Sequence, residues 1–141
     1  MAASIISEHT KIRVSSVLNR DTKQFGKKHL LDHIEDTCWN SDQGSPQWII
    51  LDLGKTLHIT EIHIQFQGGF AGKECWVEGS TSDSNFKKIT SIYPEDINSK
   101  QIFRMPEDAS PIECVKIVFN SSTDFYGRVT IYCVDVIGRP A

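Results

Sequence analysis

The chain has 141 residues, of which 39% are hydrophobic, 23% charged and 9% aromatic, the balance of one folded domain and not of a disordered or fibrous chain. Fifteen Lys and Arg against eighteen Asp and Glu leave a formal charge of -3, which excludes a module built to neutralise nucleic-acid phosphates across a dense basic face. Apolar runs stay as short as Trp48-Ile49-Ile50-Leu51, so no stretch approaches the ~20 apolar residues of a membrane-spanning helix.

Residues 1–8 carry neither a basic region nor an apolar core, so no export signal is expected and the reducing cytosol or nucleus is the expected compartment. Residues 12–19 read as a weak first strand, and only 27–31 offer room for a helical turn. After the turn cluster at 41–46, residues 48–53 are apolar at every second position on both faces, the pattern of a central strand covered on both sides. Residues 60–66 alternate cleanly, with Ile62, Ile64 and Phe66 on one face and Glu61, His63 and Gln65 on the other. Weaker strands follow at 74–80, 86–92 and 100–105, separated by turn-forming stretches at 80–85 and 94–96. Residues 113–120 alternate again, with Val115, Ile117 and Phe119 inward. The last strand spans 129–137 and is ended by Gly138-Arg139-Pro140. About eight short strands in a single domain, 1–141, predict an all-β sandwich or jelly roll.

Cys38, Cys75, Cys114 and Cys133 form no C-x-x-C pair, and three of them fall in or beside strand-like runs. Buried free thiols are favoured over disulfides or a metal site. Trp39 and Trp48 are expected in the core, whereas Trp76 alternates with Cys75 and Val77 and faces either solvent or the second sheet.

Chemistry of the catalytic kind finds little support. The five histidines (His9, His29, His33, His58, His63) show no metal-ligand spacing. His33, Asp36 and Cys38 lie close together, but a nucleophilic pair also needs an orienting group and an oxyanion site. Gly68-Gly69-Phe70-Ala71-Gly72 lacks the Lys-Ser/Thr and the helix of a phosphate-binding loop. Neither enzymatic activity nor a cofactor is expected.

Several ordered elements carry a family resemblance: Ser15-Ser16-Val17-Leu18-Asn19, then Asp32, Thr37 and Trp39 at the spacing D-x4-T-x-W, then Gln47-Trp48 followed by Asp52-Leu53-Gly54, and finally Val115-Lys116-Ile117. Together they resemble the discoidin domain, also called the coagulation factor V/VIII type C domain, over nearly the whole chain. The resemblance implies a galactose-binding-like jelly-roll β-sandwich. Stretches 13–20 with 24–30, 38–44 and 123–129 are most similar to a stand-alone intracellular member that represses an orphan nuclear receptor. That likeness implies a nuclear interaction module whose protein partner is the receptor, acting by keeping it from its DNA response element. The alternative is a module for glycans or anionic phospholipids, as in secreted members.

Two departures from the family are informative. Residues 1–37 contain no Cys, so the disulfide that joins first and last strands in secreted members cannot form. The positions that hold structural calcium in many relatives fall here at Asp32, Ile34, Thr37 and Cys133, and calcium requires 6–8 oxygen ligands. No metal is therefore expected, with Glu35 and Asp36 the residues that could compensate. In the family fold three loops form the binding end, and here they correspond to 21–28, 67–73 and 122–128. The resemblance thus assigns partner binding to Phe25, Phe70, Phe125, Tyr126 and Arg128, with Lys27, Lys28 and Lys73 around them. The competing expectation is that these Phe side chains fold back and cap the barrel.

Overall fold

A computed structural model describes residues 2–32, 34, 36–82 and 85–141. Among them lie nine strands: β1 (Ala3–Ser4), β2 (Lys11–Val14), β3 (Trp39–Asn40), β4 (Gln47–Phe66), β5 (Cys75–Ser80), β6 (Lys87–Ile92), β7 (Gln101–Arg104), β8 (Ile112–Phe119) and β9 (Thr130–Pro140). One helical turn, α1 (Thr22–Phe25), sits between short 3-10 turns at Leu18–Arg20 and Lys27–Leu30. His33 and Glu35, invoked above for a nucleophilic pair and for calcium, lie outside the described residues.

The architecture turns on β4, which is 20 residues long. Its first half pairs with β2 and β8, placing Ile50 opposite Arg13 and Lys116. Its second half pairs with β9 and β7, placing Ile62 opposite Val136 and Phe103. The register shifts between Asp52 and Leu57. Gly54 takes a left-handed φ of 80° there, and its N–H is accepted by the Asp52 carboxylate at 3.0 Å. One strand therefore serves two layers, β2-β4-β8-β5-β6 and β1-β9-β4-β7, with β3 added beside β9.

The alternating residues meet between these layers. Ile49, Leu51, Val77, Val115 and Ile117 come from one side, and Ile62, Ile64, Phe66 and Val136 from the other, all fully buried. Each such side chain contributes ~1.5–3 kcal/mol. Trp39 and Phe66 flank Phe119, at ring-centroid distances of 6.4 and 5.8 Å. The all-β sandwich expected from the alternation is the fold observed.

Three local expectations are corrected. Segments 48–53 and 60–66 are one continuous strand, because each half finds its own partners across the bend. The last strand does not stop at residue 137 but runs on through Gly138, Arg139 and Pro140, which pair with Ile59, His58 and Leu57. Gly138 permits close approach there and makes no turn: a Cβ would lie 2.6 Å from the His58 carbonyl oxygen. Residues 12–19 hold only three strand residues, Ile12, Arg13 and Val14, and then coil into the 3-10 turn, where Asn19 and Arg20 adopt positive φ.

All four cysteines are free. Cys75 and Cys114 are buried, whereas Cys38 and Cys133 are half-buried. Trp39 is in the core, but Trp48 is only half-buried. Trp76 lies on the outer face, where its Nε1–H donates to Glu78 at 2.7 Å and the Lys88 ammonium stands 5.8 Å from its ring.

Candidate functional site

At one end of the sandwich β4 begins, β8 ends and β5 begins, with Gln47, Phe119 and Cys75 side by side. Gln47 anchors the loop that leads into β4. Its amide donates to the Asp42 and Gly44 carbonyls at 3.2 and 2.9 Å, and its oxygen accepts from the hydroxyls of Ser15 and Ser16. Trp39 donates to the Ser16 carbonyl at 2.9 Å. The ordered residues behind the family resemblance thus act together to fix loop 41–46.

Loops 67–73 and 122–128 interlock beside it. Thr123 N–H donates to the Ala71 carbonyl at 2.9 Å, Ala71 N–H to the Thr123 hydroxyl at 3.1 Å, and Lys73 N–H to the Ser121 carbonyl at 2.9 Å. From the other side, Gly68 and Gly69 N–H groups donate to Asn98 and Asp96, both at 2.7 Å. Gly44 N–H donates to the Tyr126 carbonyl at 2.8 Å, which ties loop 41–46 to loop 122–128.

On this base Arg128 is held rigidly. Its Nε donates to Asp124 Oδ2 at 3.0 Å and its Nη2 to Oδ1 at 3.2 Å, and its backbone N–H also donates to Oδ2. The guanidinium carbon stands 5.2 Å from the Phe70 ring centroid and 5.6 Å from that of Tyr126. The Arg128 hydrogen bond outweighs burial and holds the Asp124 carboxyl below its ordinary value, and in return Asp124 raises the guanidinium. Phe125 meets Tyr126 edge-on at 5.2 Å and 90°, yet is 93% exposed, and Tyr126 is 56% exposed. The result is a pre-organised cation between aromatic surfaces, with apolar area facing solvent. Such an arrangement can anchor a protein interface or take a ring across an aromatic face.

Of the expected site residues, Phe70, Phe125, Tyr126 and Arg128 come together here. Lys73 is exposed in the same loop. Phe25, like Phe70, is half-buried, and it lies at the end of α1. Lys27 and Lys28 lie along the flank of β2, where Lys27 lines a cleft with Lys11 and Asp52. A second cleft sets Lys27 and Lys28 beside Trp48, one position along β4 from Gln47. Loop 41–46 packs against loop 122–128. The reason is Gly127, whose positive φ lets it sit against the backbone of Gly44. Asp124 was not among the expected site residues, although an Asp four residues before the Arg, across a Gly turn, was a usable signal.

The calcium positions are occupied by protein contacts. Asp32 accepts from the Thr37 hydroxyl at 2.7 and 2.9 Å, from Ile34 N–H at 3.0 Å, and from His29 Nδ1 at 3.1 Å. Burial pushes the Asp32 carboxyl up, but these hydrogen bonds outweigh it and leave it below its ordinary value. Among the described residues no group of three or more His, Cys, Asp and Glu is placed to hold a metal ion.

Residues 29–117 match the family of NedA-like, galactose-binding domains of F5/8 type C. The nuclear receptor 2C2-associated protein of Danio rerio is 53% identical over 139 residues, 99% of this chain and 98% of that protein. Its Homo sapiens counterpart is 48% identical over 99% of each chain. Among solved structures, the F5/8 type C domain of a Bacteroides fragilis protein has a TM-score of 0.84 at 10% identity, over 99% of this chain and 98% of that one. The family 32 CBM of Clostridium perfringens NanJ, in complex with galactose, has a TM-score of 0.79 at 16% identity, over 97% and 99% of the two chains. With a bent β4 shared by two layers and family elements that brace its loop end, the chain belongs to the F5/8 type C family of NedA-like, galactose-binding domains, alongside the nuclear receptor 2C2-associated proteins.

Proposed function

We propose that this domain is a nuclear, non-enzymatic interaction module that binds nuclear receptor 2C2 through its loop end and thereby keeps the receptor from its DNA response element. The observation that carries this reading is Arg128, fixed by Asp124 between Phe70 and Tyr126 with Phe125 exposed beside it. Arg and aromatic anchors in pre-organised settings dominate protein interfaces. The names of relatives at 46–53% identity supply the partner. A formal charge of -3 fits a repressor that engages the receptor instead of competing for phosphates. The test is a mobility-shift titration of the domain into a complex of the receptor with its element. Loss of the shifted band supports the reading. A slower ternary band overturns the repression mechanism.

The second reading is a glycan module, favoured by the galactose complex of the NanJ neighbour and by an Arg–carboxylate pair beside aromatic faces. Calorimetric titration with galactose separates the two. Saturable heat that Arg128→Ala abolishes supports the glycan reading, and vesicles of phosphatidylserine test the lipid variant of it.

A further inference from the structure

The flank of β2 gathers charge that the loop-end reading leaves unused. β2 stands at the sheet border, paired with β4, and the 3-10 turn at Lys27–Leu30 rises beside it. Three concavities of about 520, 490 and 590 Å³ follow the strand from Glu8 past Asp52 to Trp48. They share walls: Lys27 lines all three, Ile12 the first two and Arg13 the last two. Among the described residues that line them, the cations are Lys11, Lys23, Lys27 and Lys28, with Arg13 also on the wall, against the carboxylates of Glu8 and Asp52. This concentration occurs on a chain whose formal charge is -3. The floor is apolar, made of Ile12, Val14, Val17 and Trp48, all half-buried.

We infer that this groove docks an acidic, extended segment of a partner protein, with its carboxylates on the lysine wall and an apolar side chain on the Val14–Val17–Trp48 floor. Four residues of β2 span ~13 Å, a length that about four residues of an extended peptide match. Charge complementarity selects the sign of the segment. The apolar side chains are recessed between cations, whereas insertion into a lipid surface requires them to protrude. The groove shares no lining residue with the Phe70–Arg128–Tyr126 cluster and does not depend on it.

Fluorescence polarisation with a labelled peptide of alternating Glu and Leu tests the inference. Wild type should bind at low salt and weaken as salt rises. Lys27→Glu with Lys28→Glu should bind about tenfold or more weaker, and the neutral pair Lys27→Gln with Lys28→Gln should fall between. Both lysines are exposed, so the melting temperature should not move. Lys100→Glu with Arg104→Glu makes the same charge change at β7 and should bind as wild type. The inference is overturned if wild type gives no polarisation change at low salt, or if the β7 variant loses as much. It is also overturned if phosphatidylserine vesicles or single-stranded DNA bind wild type more tightly than the peptide does.

Discussion

Gly127→Ala should separate the loops that hold Arg128, and its cost follows from two distinct sources. The residue has a φ of 83°, and an added Cβ would lie 2.7 Å from Ser45 Oγ and 2.9 Å from the Gly44 carbonyl carbon and oxygen. A left-handed backbone costs an L-residue ~1–2 kcal/mol. The overlap with Gly44 backbone, which no rotamer change relieves, adds ~1–3 kcal/mol. The total is ~2–5 kcal/mol, or a drop of roughly 7–17 °C in Tm for a chain of this size. Gly44→Ala is the control. Its φ is 103° but its Cβ would meet nothing within 4 Å, so only the backbone strain applies, and its Tm should fall about half as far or less. Thermal unfolding followed by circular dichroism gives both values. If Gly127→Ala melts within ~2 °C of wild type, or if Gly44→Ala is the more damaged, the contact between loops 41–46 and 122–128 is not the brace described.

Acid should loosen the same end through Asp124. Its carboxyl is held below the ordinary value by Arg128, so its contribution is complete above ~4 and is lost as pH falls through the folded-state value. Asp124→Asn should flatten the acid limb of a Tm–pH profile, and an unchanged limb contradicts the assignment. Thiol reactivity should split the cysteines. Burial, aided by Glu74, pushes Cys75 up to about 12, so native protein at mildly alkaline pH should resist modification at Cys75 and at buried Cys114. Slow reaction is expected at half-buried Cys38 and Cys133, and rapid labelling of Cys75 counts against the packing described. Because Asp32 is satisfied by Thr37, His29 and the Ile34 N–H, EDTA should leave Tm within ~1 °C, and a larger drop would return calcium to that site.

The layers were legible because alternation reports burial directly. Ile62, Ile64 and Phe66, like Val115, Ile117 and Phe119, are buried as their spacing demands. What stayed hidden was what depends on distant partners. The bend in β4 is invisible locally, since only β8 and β9, which claim its two halves, make segments 48–53 and 60–66 one strand. The glycine at 138 looked like a terminator because sequence does not show the His58 carbonyl facing it. Helix α1 is a single turn capped by Asp21, which accepts from Gln24 N–H, and one turn is too short for any periodicity to register. At the loop end, the family resemblance marked 67–73 and 122–128. The seating of Gly127 against Gly44, which ties loop 41–46 to loop 122–128, stayed hidden because it is an event between segments far apart in the chain.

The central claim is that the Phe70–Arg128–Tyr126 cluster carries receptor binding, and calorimetric titration of nuclear receptor 2C2 with loop-end variants tests it most directly. Phe70→Ala and Arg128→Ala should each bind roughly thirtyfold or more weaker. Phe125→Ala, which removes a side chain that is 93% exposed, should also weaken binding while melting as wild type does. Normal affinity in all three variants, or weakened binding only in those that have lost their fold, would contradict the account.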